Sequence, residues 1–158
     1  MIHQLLVELS LLGVALLLGA TAYESVVMAP NYERDVPSSI DLARQFLKRT
    51  TPAHFFRIIA PLTLLLLVVD VIACWSFPQP RWWLVGGLVS LAVADAITFA
   101  FHYPRLEIMF KSPLPEDPAL LRTATREWAT GNYLRLALLL VTFLLVLQAF
   151  ATLSAGLA

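Results

Sequence analysis

Cysteine is almost missing from this chain. Cys74 stands alone, so no intrachain disulfide can staple the fold, and its apolar neighbours mark it as a core thiol. Charge is scarce too: charged residues make up 14% of 158, and eleven basic side chains cancel eleven acidic ones. Such a chain has no basic face to meet phosphates, which excludes a nucleic-acid partner. It also lacks a glycine-rich phosphate loop, a G-x-S-x-G elbow and a C-x-x-C pair, so nucleotide, serine-hydrolase and zinc-ribbon chemistries have no motif to stand on.

What remains is apolar, with 59% hydrophobic residues. Four runs reach the roughly 17 to 25 residues that cross a bilayer core, at approximately Leu5 to Met28, Phe55 to Phe77, Trp82 to Tyr103 and Tyr133 to Leu153. Prolines punctuate them: Pro30 after the first, Pro52 before the second, Pro78 and Pro80 between the second and third, and Pro104 after the third. Backbone groups in lipid must be satisfied internally, and no alternating barrel pattern competes. The expected fold is therefore all-α, an integral membrane four-helix bundle forming a single transmembrane domain over residues 1–158.

Ala20-Thr21-Ala22 has the form of a signal cleavage site, but no Lys or Arg precedes the run, so the segment is expected to stay as a span. The basic residues set the orientation. Arg34, Arg44, Lys48, Arg49 and Arg57 flank one connection, Arg105, Lys111, Arg122, Arg126 and Arg135 the other, and Arg81 alone lies opposite. The positive-inside rule then places both long connections in the cytoplasm and both termini outside. Each connection reads as an amphipathic helix along the membrane surface. "SSIDLARQFLKRT" puts Ile40, Leu42, Ala43, Phe46 and Leu47 near one face behind a serine cap, and "EDPALLRTATREWATG" runs from an acidic start to Gly131.

Polar residues interrupt the spans: Glu24, His54, Arg57, Asp70, Asp95, His102, Asn132 and Arg135. Most gather at the connection end. Counting about 1.5 Å per residue from Pro30 puts Glu24 about 9 Å inside, where a carboxylate needs a partner. All four spans contribute to this end, which implies a shared polar pocket. Several readings stay open. Glu24, His54 and His102 have the composition of a two-histidine, one-carboxylate site for a transition metal such as iron. His54 and His102 at one level suit a bis-histidine haem. Glu24 paired with Arg57 or Arg135 needs no cofactor at all. Asp70 is expected to hydrogen-bond a neighbouring helix.

Gly19, Tyr23 and Pro30, an aromatic opening to the second span, and Trp128-Ala129-Thr130-Gly131-Asn132-Tyr133-Leu134-Arg135 resemble the anthrone-oxygenase-like family of small four-helix membrane proteins. The resemblance spans roughly Gly13 to Phe150, and its most specific element is W-x-x-x-N-x-x-R. It implies oxygenation of a hydrophobic aromatic or phenolic small molecule. Where many relatives carry an asparagine, this chain reads His102-Tyr103-Pro104.

The sequence thus predicts a membrane-embedded oxidoreductase. Glu24, His54 and His102 serve as metal ligands or an acid-base set, and Asn132 and Arg135 orient an oxyanion. Tyr23, Arg57, Asp95, Tyr103 and Trp128 line the substrate site. Membrane lipid is the surrounding partner, and glycines such as Gly13, Gly19, Gly86 and Gly87 admit close packing within one chain or in a homo-oligomer. The competing class is a non-enzymatic binding or assembly subunit held by an ion-pair network. A transporter is set aside because the spans read as unbroken and without repeated halves.

Overall fold

A computed structural model of the chain describes residues 1–111 and 113–155. The described residues are all helical apart from short connections, with no strand among them. Five helices follow in order: α1 (Ile2–Glu33), α2 (Ser38–Phe46), α3 (Pro52–Ala73), α4 (Pro78–Phe110) and α5 (Pro118–Ala155). Four of these, α1, α3, α4 and α5, are long and apolar enough to cross a membrane, the character of a multi-pass membrane protein. They pack side by side, α1 against α3 and α5, and α4 against α5 and, most sparsely, α3.

Two prolines read as helix ends turn out to lie inside helices. α1 continues past Pro30 and α4 past Pro104, each by way of a π-helical turn, Glu24–Met28 and Thr98–His102. In both, a backbone N–H bonds the carbonyl five residues back, Ala29 to Glu24 and Tyr103 to Thr98. The wider turn makes room for the proline ring, which in an unbroken α-helix would collide with the carbonyl four residues before it. Pro30 cannot donate a hydrogen bond, and the Ser25 carbonyl accepts one from the Tyr133 hydroxyl of α5 instead, at 3.1 Å.

The second connection also departs from expectation. "EDPALLRTATREWATG" contains no separate surface helix, because α5 runs without interruption from Pro118 through Gly131 to Ala155. Gly131 does not stop it, because its missing side chain is filled from outside. A Cβ there would fall 2.7 Å from the Phe101 ring and 3.0 Å from His102. In α2 the buried residues are Ile40 and Ala43, whereas Leu42 is 69% and Phe46 82% exposed, so its apolar residues split between two faces. Ser39 does not cap the helix but donates to the Tyr32 carbonyl at 2.6 Å.

The helices repeat a plan that the sequence conceals. Gly13 precedes the π turn of α1 by eleven residues and Pro30 follows its start by six; Gly87, Thr98 and Pro104 stand at the same spacing in α4. Along α3 and its C-terminal cap the buried set Thr63, Leu67, Asp70 and Cys74 has the same spacing as Thr142, Val146, Ala149 and Leu153 in α5. Thr63 and Thr142 each hand a hydroxyl to the carbonyl four residues back, at 2.7 and 2.9 Å. The α1–α3 and α4–α5 pairs also cross at equivalent glycines, Gly13 against Thr63 and Gly87 against Val146. The repeat and the π turns correct the expectation of unbroken spans without repeated halves. Each turn nevertheless closes with a backbone bond to the carbonyl five residues back, and the carbonyl Pro30 leaves free is taken by Tyr133, so neither is an unwound mid-helix segment of the kind alternating access uses.

Apolar burial falls into two clusters. Val7, Val14, Leu17, Leu67, Leu91, Leu139 and Val146 fill the middle of the helices. Ala29, Tyr32, Ile40, Met109, Leu121 and Trp128 form a second cluster where α2 and the extensions of α1 and α4 meet the start of α5. Glu24, His102, Asn132 and Arg135 lie between the two.

The Gly13 crossing is testable. A Cβ at Gly13 would sit 2.5 Å from Thr63 Oγ1, so Gly13→Ala is expected to lower stability by about 1–3 kcal/mol. Adding Thr63→Ala should return most of that loss. Thermal unfolding of the single and double variants in detergent checks this, and equal losses with and without Thr63 would count against the crossing.

Candidate functional site

Arg135 is the centre of the polar layer. It leaves α5 one turn after Asn132, on the same helical face, and is only 7% exposed. Its Nη2 donates to Thr21 Oγ1 at 3.0 Å and lies 3.5 Å from Glu24 Oε2. Its guanidinium carbon stands 4.5 Å from the centroid of the Phe56 ring. One cation thus draws α1, α3 and α5 together. Of the two partners open to Glu24 in the sequence, Arg135 is the one it meets; Arg57 is exposed on α3 and lines a different cavity.

His102 arrives from the π turn of α4 and is 1% exposed. Its Nδ1 lies 3.5 Å from the carbonyl oxygen of Ile97, five residues back. A proton on Nδ1 directed there leaves Nε2 as a lone-pair acceptor, and Nε2 is buried with no protein partner. Both side-chain amide atoms of Asn132 are likewise buried and unpartnered. The Asn132 amide adjoins the His102 ring without closing a hydrogen bond to it, so the two side chains form a buried polar contact between α4 and α5. Arg105 holds the turn in place: its guanidinium lies 3.6 Å over the Phe101 ring and bonds Glu127 of α5 at 2.9 Å.

Three cavities surround the start of α3, and Phe56 lines all of them. The first, about 150 Å³, holds Glu24, His102 and Arg135 beside Tyr32, Tyr103 and Trp128, and it reaches Leu47 and Thr51 of the connection. The second, about 350 Å³, lies between α3 and α4 and is lined by Asp95, Arg57, Phe99 and Arg135. The third, about 240 Å³, lies between α1 and α3, where Glu24 and Tyr23 meet Phe46 and Leu47. Glu24, His102, Arg135, Tyr103 and Trp128 are therefore brought together around one space, and Asp95 and Arg57 around its neighbour. Asn132 is buried in α5, next in sequence to the Gly131 that His102 abuts.

His54 is not brought in. It is exposed, and its Nδ1 faces the backbone N–H and the Oγ1 of Thr51, both at 3.1 Å, in a capping box at the start of α3. The iron triad of Glu24, His54 and His102 is thus not assembled, nor is the bis-histidine haem pair. Among the described residues no group of three His, Cys, Asp or Glu side chains is placed to hold a metal. Asp70 bonds the Ser10 hydroxyl of α1, the neighbouring-helix bond expected of it, in the opposite half of the structure.

Thr21, Phe56 and Gly131 were not singled out by sequence reasoning as part of the site. Thr21 had a readable signal, since it lies one turn before Glu24 on the same face. Phe56 was visible only as part of the aromatic opening to the second span, because an aromatic residue there looks the same whether it faces lipid or a guanidinium. No family model matches this chain, and neither does any curated protein or solved structure.

Two outcomes follow from this geometry. Arg135→Met strands the Glu24 carboxylate and is expected to cost about 3–5 kcal/mol, while Glu24→Leu with Arg135→Met should recover most of it. Denaturant titration of these two variants and of Glu24→Leu alone in mixed micelles measures that coupling. His54→Ala should cost only the value of a helix cap, about 0.5–2 kcal/mol, and should leave ligand binding within error of the parent chain.

Proposed function

We propose that this chain is a membrane-embedded oxidoreductase, an oxygenase of a hydrophobic aromatic or phenolic small molecule. In this reading it is a four-helix transmembrane bundle with both long connections cytoplasmic and both termini outside. The observation that carries it is the aromatic-walled cavity lined by the buried Glu24–Arg135 pair and by His102. A cavity that is mostly apolar, with a few convergent polar groups, is the usual form of a small-molecule site. The W-x-x-x-N-x-x-R element that resembles the anthrone-oxygenase-like family supplies Trp128, Asn132 and Arg135 to this same layer.

His102 Nε2 takes a proton from an acidic O–H or C–H of the substrate. The guanidinium of Arg135 stabilises the negative charge that develops on the substrate oxygen, and the Asn132 amide, beside the His102 ring, orients the base. Glu24 holds Arg135 in position, and Tyr32, Trp128 and Phe56 flank the ring. The electron-rich anion so formed reduces dioxygen: one oxygen atom becomes a carbonyl in place of the two hydrogens lost from the substrate, the other leaves as water, and the product is a quinone with dioxygen as the oxidant. No step is routed through a metal or a haem, because His54 is committed to the cap of α3.

A second reading, a non-enzymatic binding subunit, is favoured by the closure of the Glu24–Arg135 pair itself, since each charge already has its partner. Oxygen uptake by the purified chain in lipid nanodiscs, supplied with phenolic and anthrone-type compounds, separates the two. Substrate-dependent uptake is expected, and it should fall about a hundredfold or more in His102→Gln and in Arg135→Lys. Binding without any uptake would transfer the assignment to the second reading, and no binding at all would remove both.

A further inference from the structure

The repeated plan exposes an asymmetry. Of the two equivalent contacts between the halves, α1 with α5 is closed, stitched by Tyr133 to Ser25 and by Arg135 to Thr21 and Glu24. The other, α3 with α4, stands apart around the cavity of about 350 Å³. Small residues cause the opening. When Thr63 is aligned with Thr142, Ala60 occupies in α3 the place of the buried Leu139 in α5, so the wall loses a branched side chain where its counterpart is filled. The rim is formed by Pro61 and Phe99, both exposed on the apolar outer flank of the helices, and the inner wall is Arg135, Phe56, Thr98 and Tyr103, shared with the acid-base cavity. A chamber whose wall is mostly apolar, with Asp95, Arg57 and Arg135 as its charged lining, thus leads from the flank that faces bilayer in our reading to the polar layer.

We infer that the chamber between α3 and α4 is a binding site for the apolar tail of a membrane-dissolved amphiphile, whose polar aromatic head reaches Arg135 and the cavity beyond it. This rests on the reading of that cavity as an aromatic small-molecule site. It adds a substrate class, molecules with a tail that partition into lipid, and a direction of access, sideways between two helices. Ala60 becomes a specificity-determining position, because its small side chain leaves the space the tail occupies. Arg135 and His102, which line the cavity beyond, select the head and the chamber selects the tail, so the two parts of the ligand are recognised separately.

The test uses the full chain in nanodiscs and two probes, 1-naphthol, which has no tail, and a 4-alkylphenol with a photoreactive diazirine at the chain end. Irradiation followed by peptide mass spectrometry is expected to place the label on the segments carrying Ala60 to Leu64 and Phe99. Ala60→Leu, which installs the residue the fold already accepts at the equivalent place, should lower the ratio of alkylphenol to naphthol affinity about tenfold. Label at Ala20 or Phe46 on the other side of α3, label spread over the whole apolar surface, or an unchanged ratio in Ala60→Leu would overturn the inference while leaving the head site standing if naphthol binds. Failure of both probes to bind the parent chain would overturn the inference and the aromatic-site reading together. Labelling of the parent chain decides the matter alone if Ala60→Leu does not fold.

Discussion

A single buried cation organises this structure. Arg135 lies between two apolar clusters, where a guanidinium without partners would be several kcal/mol unfavourable. Its needs are met from three helices: a hydroxyl and a carboxylate from α1, an aromatic face from α3, and its own anchorage in α5. Each partner is local on its helix, but the set exists only when the helices are side by side. The pair therefore does two things at once, since it fixes the relative height of α1 and α5 and it places fixed charge at the edge of a cavity.

The π turns are the second constraint, and they follow from the prolines. A helix that meets Pro30 or Pro104 must end, kink or widen, and here it widens. Widening rotates the residues of the turn relative to the rest of the helix, and this is where Glu24 and His102 sit. The helices also continue beyond the turn, so Tyr32 and Met109 can close the second apolar cluster over the polar layer. Glu24, Asn132 and His102 are consequently enclosed from both ends, while the cavities open sideways around α3. Enclosure strengthens every electrostatic interaction inside, whether it serves chemistry or only holds helices in register.

The repeat gives the asymmetry of the site a physical reading. Equivalent positions in the two halves carry different chemistry: Glu24 begins one π turn and Thr98 the other, while Arg135 and Phe56, equivalent in the alignment of α5 with α3, stack on each other. Hydrogen bonds and the ion pair close the α1–α5 contact. At the α3–α4 contact Ala60 and the proline at position 61 leave a chamber instead. A repeated scaffold with one contact closed and one open combines rigidity with room for a ligand.

Much of the architecture was legible without coordinates. Length and hydropathy identify the four long apolar helices, because crossing a bilayer demands about twenty apolar residues whatever the packing. The gathering of Glu24, His102, Asn132 and Arg135 toward one end could be counted from the prolines, and the bond of Asp70 to a neighbouring helix was expected from its burial cost. Proline as a stop signal failed at positions 30 and 104, and glycine failed at position 131. Those rules describe an isolated helix, whereas here Tyr133 satisfies the carbonyl that Pro30 leaves free and Phe101 fills the space Gly131 leaves empty. His54 turns to Thr51 and away from Glu24 and His102, since depth along a helix does not say which way a side chain turns. What the sequence determined by itself was the number, length and polarity of the helices, properties that each segment carries alone. Which cation meets Glu24, which histidine is left unpartnered and which helix pair stands open were decided by tertiary structure, because each depends on the rotation of one helix against another and no segment encodes that in isolation.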